Sequence, residues 1–218
     1  MRQAVAQSLV LLGFALYEKK SKNMGFLVYL SAPLFHFTAL FFFPLLLTFF
    51  IRKEFFKVFL PLAWVVSLSF VVSSEPFKFV SSTIFKFVPS VYEHFVVNAS
   101  FSGSIGAVDF LYQLIFIFIY ISFLMRGSAV ENRIMLMGMF GVLVSNFLNY
   151  SGFVSRVSYF WEGFLIAAIP VAIFSVYKSF SRAFLCFIFF SVSSLFYFRA
   201  VFVGSNKVTP YYSWLFNF

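Results

Sequence analysis

Long apolar runs, separated by short clusters of lysine and arginine, constrain the fold of this chain more than any other feature. Phenylalanine alone supplies 39 of the 218 residues, and only 11% of the residues are charged. Soluble domains carry about 25% charged residues, because much of their surface stays in water. The composition excludes a soluble enzyme, a disordered segment and, with Cys186 as the single cysteine, a disulfide scaffold. It predicts an all-α, polytopic integral membrane protein.

Six apolar stretches come close to the length of a membrane-spanning helix, which is about 20 residues. The first is interpreted as a retained helix and not as a signal peptide, because no small-residue cleavage site precedes Glu18. The six predicted spanning helices cover residues 3–17, 58–73, 108–125, 134–150, 159–177 and 183–203.

A further apolar region begins at Met24 and ends at Ile51, and it has two interpretations. As one helix it would be about 42 Å long at ~1.5 Å per residue, so it would have to tilt strongly in the bilayer. As a membrane hairpin it would break near Pro33 and His36. Proline kinks a helix, and a histidine within the membrane needs protein or water around it.

The basic clusters favour the hairpin. If residues 24–51 return to the side from which they left, four loops that hold 10 of the 16 lysines and arginines share one side of the membrane. The positive-inside rule assigns that side to the cytoplasm. The net charge of +9 is therefore read as a topology signal and predicts no nucleic-acid partner. The four loops are residues 18–22, 52–57, 126–133 and 178–182.

The same topology assigns three segments to the outer side of the membrane. Residues 74–107 mix lysines with aromatic side chains, which is typical of an extracytoplasmic or interfacial loop. The short loop 152–158 and the tail 204–218 complete this side. The chain is expected to form a single transmembrane domain over residues 1–218.

Polar residues that are costly in lipid collect near this outer side. Because arginine binds phosphate oxygens through a fork of donors, the arginines together with His36 predict an anion site. The alternatives are arginines that extend from helix ends toward the membrane surface, and an aromatic belt for the tyrosines. The candidate site residues are Arg2, Gln3, His36, Arg156, Tyr159, Glu162, Arg199 and Tyr211.

Several of these residues stand in short motifs. An Arg-Gln pair heads the first helix at positions 2–3, a lysine cluster follows, and Phe-His-Phe-Thr-Ala occupies 35–39. Arg156 precedes a tyrosine-containing helix start, and Pro210 precedes Tyr211. In order and spacing, over essentially the whole chain, these motifs resemble the EpsG family. These are bacterial membrane proteins regarded as Wzy-type polymerases of exopolysaccharide, capsule or O-antigen.

The resemblance implies a glycosyltransferase-type reaction at the outer face of the bacterial inner membrane. Oligosaccharide repeat units on undecaprenyl diphosphate would be joined into a polymer, without a metal or nucleotide cofactor. A chain-length regulator and a flippase are the implied protein partners. Arg2 and Arg156 would stabilise the leaving diphosphate, and His36 or Glu162 would act as a base. The implied substrate-binding residues are Gln3, Tyr159, Arg199 and Tyr211.

The chain departs from the family in length. Family members are longer, and the Arg-Gln motif that opens this chain lies in mid-chain in the family. The sequence is therefore expected to be the C-terminal part of a longer polymerase. A non-catalytic membrane subunit that transports or assembles lipid-linked glycans is the alternative, and an inactive truncated remnant is a third interpretation.

Overall fold

In the computed structural model, residues 2–19, 21–36, 39, 52–73, 75–76, 107–125, 128–148, 155–176 and 179–203 are described. They form seven α-helices and no strand, which confirms the predicted all-helical fold class. Most of the predicted outer loop 74–107 and the whole tail 204–218 lie outside the described residues. The helices are α1 Arg2–Glu18, α2 Lys22–Phe35, α3 Lys53–Val72, α4 Ala107–Met125, α5 Ala129–Leu148, α6 Ser155–Val176 and α7 Ser179–Val203.

The apolar character of the helices is uneven. Among the described residues, α3 is the one helix that is both long enough and apolar enough to cross a membrane. Shorter apolar helical stretches lie in α1, α4, α6 and α7. The arrangement with about six spanning helices therefore stays a prediction.

Basic residues do not by themselves end a helix, so several predicted loops are in part helical: 52–57, 126–133, 152–158 and 178–182. Lys53–Val72 is helical, so most of the predicted loop 52–57 forms the first turns of α3, with Glu54 placed favourably near the positive end of the helix dipole. Likewise α6 begins at Ser155, and Arg156 lies in its first turn instead of in an outer loop.

The predicted loop 126–133 also ends early, and here the sequence carried a clear signal. Ser128 and Glu131 form a capping box at the start of α5. The backbone N–H of Ser128 donates to Glu131 Oε2 over 2.6 Å, and the backbone N–H of Glu131 donates to Ser128 Oγ over 3.3 Å. Such reciprocal bonds satisfy donors that a helix start leaves without a partner.

The helix after the first basic cluster ends where the proline predicted a break. Pro33 lies in the last turn of α2, where it cannot donate a backbone hydrogen bond. His36 follows the helix with extended backbone, φ −155° and ψ 119°, and its N–H donates to the carbonyl of Ala32. A single continuous helix over residues 24–51 is therefore wrong.

Helices α1 and α2 form an antiparallel pair that two glycines bring into close contact. A Cβ atom added to Gly25 would lie 2.6 Å from the backbone N of Tyr17, and one added to Gly13 would lie 3.0 Å from the backbone N of Tyr29. Any larger residue would push the backbones apart. These contacts pair Tyr17 with Gly25 and Gly13 with Tyr29 in an antiparallel register. If the same register continues toward the start of α1, His36 is level with Ala6.

Contacts at one end of the helices place the start of α3 near the end of α1. Glu18, at the end of α1, accepts two hydrogen bonds from Arg133 of α5, at 2.5 and 2.7 Å. Lys53, at the start of α3, donates to the side chain of Asn132 over 3.1 Å, and its Nζ lies 4.6 Å from the centroid of the Phe123 ring. The chain therefore returns at Lys53 to the end that it left after Glu18.

The Glu18–Arg133 ion pair should contribute measurably to stability. The two side chains are 12% and 23% exposed. Arg133→Ala would leave a largely buried carboxylate without its partner, so we expect a loss of about 2 kcal/mol in the free energy of unfolding. Thermal unfolding in detergent measures it. The exposed pair of Lys57 and Glu54, at 3.8 Å, is the matched control, and Glu54→Ala should change stability by less than ~0.5 kcal/mol.

The chain divides into two compact units, Met1–Ser175 and Val176–Phe218. The first unit has two apolar clusters. One joins α3 and α4 to α5 and α6, and in it the Trp64 indole stacks on Phe116 with ring centroids 5.3 Å apart. The other joins α1, α2, α5 and α6 through Ala6, Val10, Tyr29, Ala32, Ala39, Met137, Trp161 and Phe164. The second unit contains α7.

Candidate functional site

The first helix packs against α6 through a contact between an amide and a glycine. A Cβ atom added to Gly163 would lie 2.6 Å from Gln7 Nε2, so the absence of a side chain at Gly163 leaves room for the Gln7 carboxamide. The Phe14 and Phe164 rings meet edge to face, with centroids 6.1 Å apart. These contacts place the first turns of α1 beside the segment of α6 that precedes Gly163.

The direction of α6 relative to α1 follows from α5. A Cβ atom added to Gly138 would meet the side chain of Ala168, and one added to Gly141 would lie 3.0 Å from the carbonyl O of Trp161. Helices α5 and α6 are therefore antiparallel. Since Glu18 at the end of α1 contacts Arg133 near the start of α5, α1 and α6 run in the same direction.

Three chain segments that carry predicted site residues therefore meet at one end of the first unit. Helix α1 contributes its first turn with Arg2 and Gln3. His36, which is partly exposed, directly follows the end of α2. Helix α6 contributes its first two turns, which contain Arg156, Tyr159 and Glu162. The catalytic and binding roles of these residues stay predictions. Arg199 belongs to α7 in the second unit, and Tyr211 lies outside the described residues.

Sequence reasoning missed a buried polar network at the same end of the first unit. Trp64 and Ser67 of α3, Gln113 of α4 and Asn146 of α5 are joined by hydrogen bonds across three helices. Gly141 of α5 lies level with Trp161 of α6, and the two helices are antiparallel. Five residues further along α5, Asn146 is therefore level with Arg156, which lies five residues earlier in α6. No local pattern reveals this network, because Asn146 lies 33 residues from Gln113 and 79 from Ser67.

The network uses nearly all the hydrogen-bonding capacity of its two amides. Gln113 Oε1 accepts from Trp64 Nε1 at 2.8 Å and from Asn146 Nδ2 at 3.2 Å. Gln113 Nε2 donates to Asn146 Oδ1 at 2.9 Å and to the carbonyl of Asp109 at 3.0 Å. Asn146 Nδ2 also donates to Ser67 Oγ at 2.8 Å, and Ser67 donates to the carbonyl of Trp64. Such a saturated network holds helices together and leaves little capacity for a ligand.

The end of the first unit opposite the predicted site holds several charged side chains. The Glu18–Arg133 ion pair and Lys53 lie at the end opposite the predicted site. The neutral amides of Gln7, Gln113 and Asn146 are among the polar groups near the predicted site. Within the part of the chain that the structure describes, no three His, Cys, Asp or Glu side chains are grouped so that they could hold a metal ion.

Comparison with known proteins identifies the family. The sequence model of the EpsG family matches residues 1–213, nearly the whole chain. No curated protein and no solved structure shows significant similarity to it. Family membership and the apolar helices indicate a membrane protein, and the family indicates a role in polysaccharide assembly. The chain belongs to the EpsG family.

Proposed function

We propose that this chain is a multi-pass protein of the bacterial inner membrane that polymerises oligosaccharide repeat units carried on undecaprenyl diphosphate. The observation that carries the proposal is the match to the EpsG family over residues 1–213. The products would be exopolysaccharide, capsule or O-antigen chains. A chain-length regulator and a flippase would be its partners, and no nucleic acid would take part.

The orientation that we propose follows the positive-inside rule. The end that contains Glu18, Lys53 and Arg133 would face the cytoplasm, together with most of the basic residues. The opposite end, with the first turn of α1, His36 and the start of α6, would face outward. The contacts that return the chain at Lys53 to the end it left after Glu18 support a membrane hairpin over residues 24–51. They do so because a single crossing would place these residues at opposite ends.

The proposed reaction transfers a growing glycan from its lipid to the next repeat unit. A hydroxyl oxygen of the incoming lipid-linked sugar forms a bond to the anomeric carbon of the growing glycan, and the bond from that carbon to the diphosphate oxygen breaks. The hydroxyl proton passes to His36 or Glu162, and undecaprenyl diphosphate leaves with the bonding electron pair. Arg2 and Arg156 stabilise the negative charge that develops on the leaving diphosphate. Gln3 and Tyr159 bind sugar and phosphate oxygens at this site. Arg199 and Tyr211, in the second unit, are proposed as further substrate-binding residues.

Replacing the histidine tests this proposal in cells. In a host whose polymer depends on this gene, His36→Ala is expected to leave single repeat units on the lipid carrier, because the acceptor hydroxyl loses the first of its two candidate bases. Mass spectrometry of extracted lipid-linked glycans measures the number of repeats.

Ser31→Ala is the matched control, since Ser31 lies in α2, the helix that His36 follows, and its hydroxyl donates to the Val28 carbonyl at 2.6 Å. This variant should give normal polymer. Normal chain length in His36→Ala would contradict the catalytic role of His36. Long polymer that stays on the lipid and fails to reach the surface would instead favour a transport or assembly subunit.

A further inference from the structure

Gln7 occupies an unusual position at the crossing of α1 and α6. Its carboxamide nitrogen fills the space that a side chain at Gly163 would need, since a Cβ atom there would lie only 2.6 Å away. Glycine within a helix lowers the stability of the helix relative to alanine. The packing of the Gln7 amide explains why a glycine is nevertheless found at position 163. Gln7 is partly exposed.

The level of Gln7 along the helices brings it among the predicted site residues. The register of α1 and α2 puts His36 level with Ala6, the residue before Gln7. On the other side Gly163 directly follows Glu162. Gln3 precedes Gln7 by one helical turn, as Tyr159 precedes Gly163.

The surroundings of Gln7 suit recognition of a neutral, hydroxyl-rich ligand. The neighbouring side chains Ala6, Val10, Trp161 and Phe164 are buried and form one apolar cluster. A carboxamide in such surroundings donates through its nitrogen and accepts through its oxygen without adding charge. Sugar hydroxyls need both functions, because each hydroxyl can donate and accept a hydrogen bond.

We propose that the carboxamide of Gln7 binds hydroxyl groups of the lipid-linked sugar and holds it beside His36 and the start of α6. This inference rests on the proposed polymerase function and adds to it a substrate-binding residue. Gly163 serves as a positioning residue, because its missing side chain keeps the Gln7 amide in place.

Initial rates of polymer formation in membranes, measured against the concentration of lipid-linked repeat unit, test this proposal. We expect Gln7→Ala to raise the KM about tenfold and to change kcat less than about twofold, because a binding contact is lost and the proposed base remains. Ser8→Ala is the matched control, since Ser8 is the next residue and is exposed. It should leave both constants unchanged.

Gly163→Ala provides a second, independent test that does not remove the amide. Its added Cβ atom should displace Gln7 and raise the KM, while the higher helix propensity of alanine favours folding. In the double variant Gln7→Ala, Gly163→Ala, the second substitution should add little, because no amide is left to displace. Independent, multiplying effects of the two substitutions would overturn the positioning role of Gly163.

The outcomes separate this proposal from the proposed function. If His36→Ala stops polymerisation while Gln7→Ala keeps the normal KM, the role of Gln7 is wrong and the polymerase assignment stands. If the protein forms no polymer from lipid-linked repeat units at all, the proposed function fails. A Gln7→Ala protein with a lowered melting temperature and a normal KM would show that Gln7 has a structural role only.

Discussion

Arg156→Ala is expected to lower the rate of polymer formation about 100-fold or more, because it removes a positive charge from the proposed site of the leaving diphosphate. Removing one preorganised group that stabilises a transition state typically costs a factor of ~10² to 10³. Arg156 lies in the first turn of α6, in the segment that precedes the contact with Gln7. Single-turnover rates on lipid-linked repeat units measure the effect on chemistry apart from product release.

Two further arginine variants make this prediction specific. Arg156→Lys keeps the charge but loses the fork of donors, so we expect an intermediate loss of about tenfold. Arg52→Ala is the matched control, since Arg52 is exposed and precedes α3, at the opposite end of the first unit. It should retain the normal rate. An unchanged rate in Arg156→Ala would show that this arginine does not stabilise the leaving group.

Asn146→Ala is expected to destabilise the first unit by about 2 kcal/mol, because it breaks three hydrogen bonds and leaves buried partners unsatisfied. Asn146 is 4% exposed and Ser67 is fully buried, so water cannot readily replace the lost amide. Thermal unfolding in detergent, followed by tryptophan fluorescence, measures the change. Trp64 reports on the network directly, since its indole donates to Gln113.

Another asparagine on the same helix supplies the control. Asn132 lies near the start of α5, is partly exposed and accepts a hydrogen bond from Lys53. Asn132→Ala should therefore cost clearly less than Asn146→Ala. Replacing both Asn146 and Gln113 by leucine should cost less than the sum of the two single changes, because each removes a partner of the other. Equal effects at Asn132 and Asn146 would contradict a stabilising role for the network.

Local sequence signals predicted much of the fold. The apolar runs gave the helices, and Pro33 with His36 predicted the break that ends α2. Charge patterning was a weaker guide to boundaries, because lysine and glutamate continue a helix as readily as they follow one. The basic residues at 52–57 therefore predict a loop where α3 begins, and the capping box of Ser128 and Glu131 lies within the predicted loop 126–133.

The candidate site was harder to predict from sequence, because its contacts join distant parts of the chain. The motifs predicted Arg2, Gln3 and His36 as site residues. The packing of α1 on α2 and α6 brings their segments beside the start of α6, which contains Arg156. Gln7 could not be recognised from its neighbours, since its significance depends on a glycine in another helix. The same holds for Asn146, whose hydrogen-bond partners lie in α3 and α4.

Reconstitution of the protein tests the central claim most directly. The purified full chain in liposomes would be supplied with oligosaccharide repeat units on undecaprenyl diphosphate, without nucleotide or added metal. The account predicts glycans of many repeats that remain on the lipid, and one undecaprenyl diphosphate released for each new linkage. Lipid-linked repeat units that stay single, with no undecaprenyl diphosphate released, would contradict it.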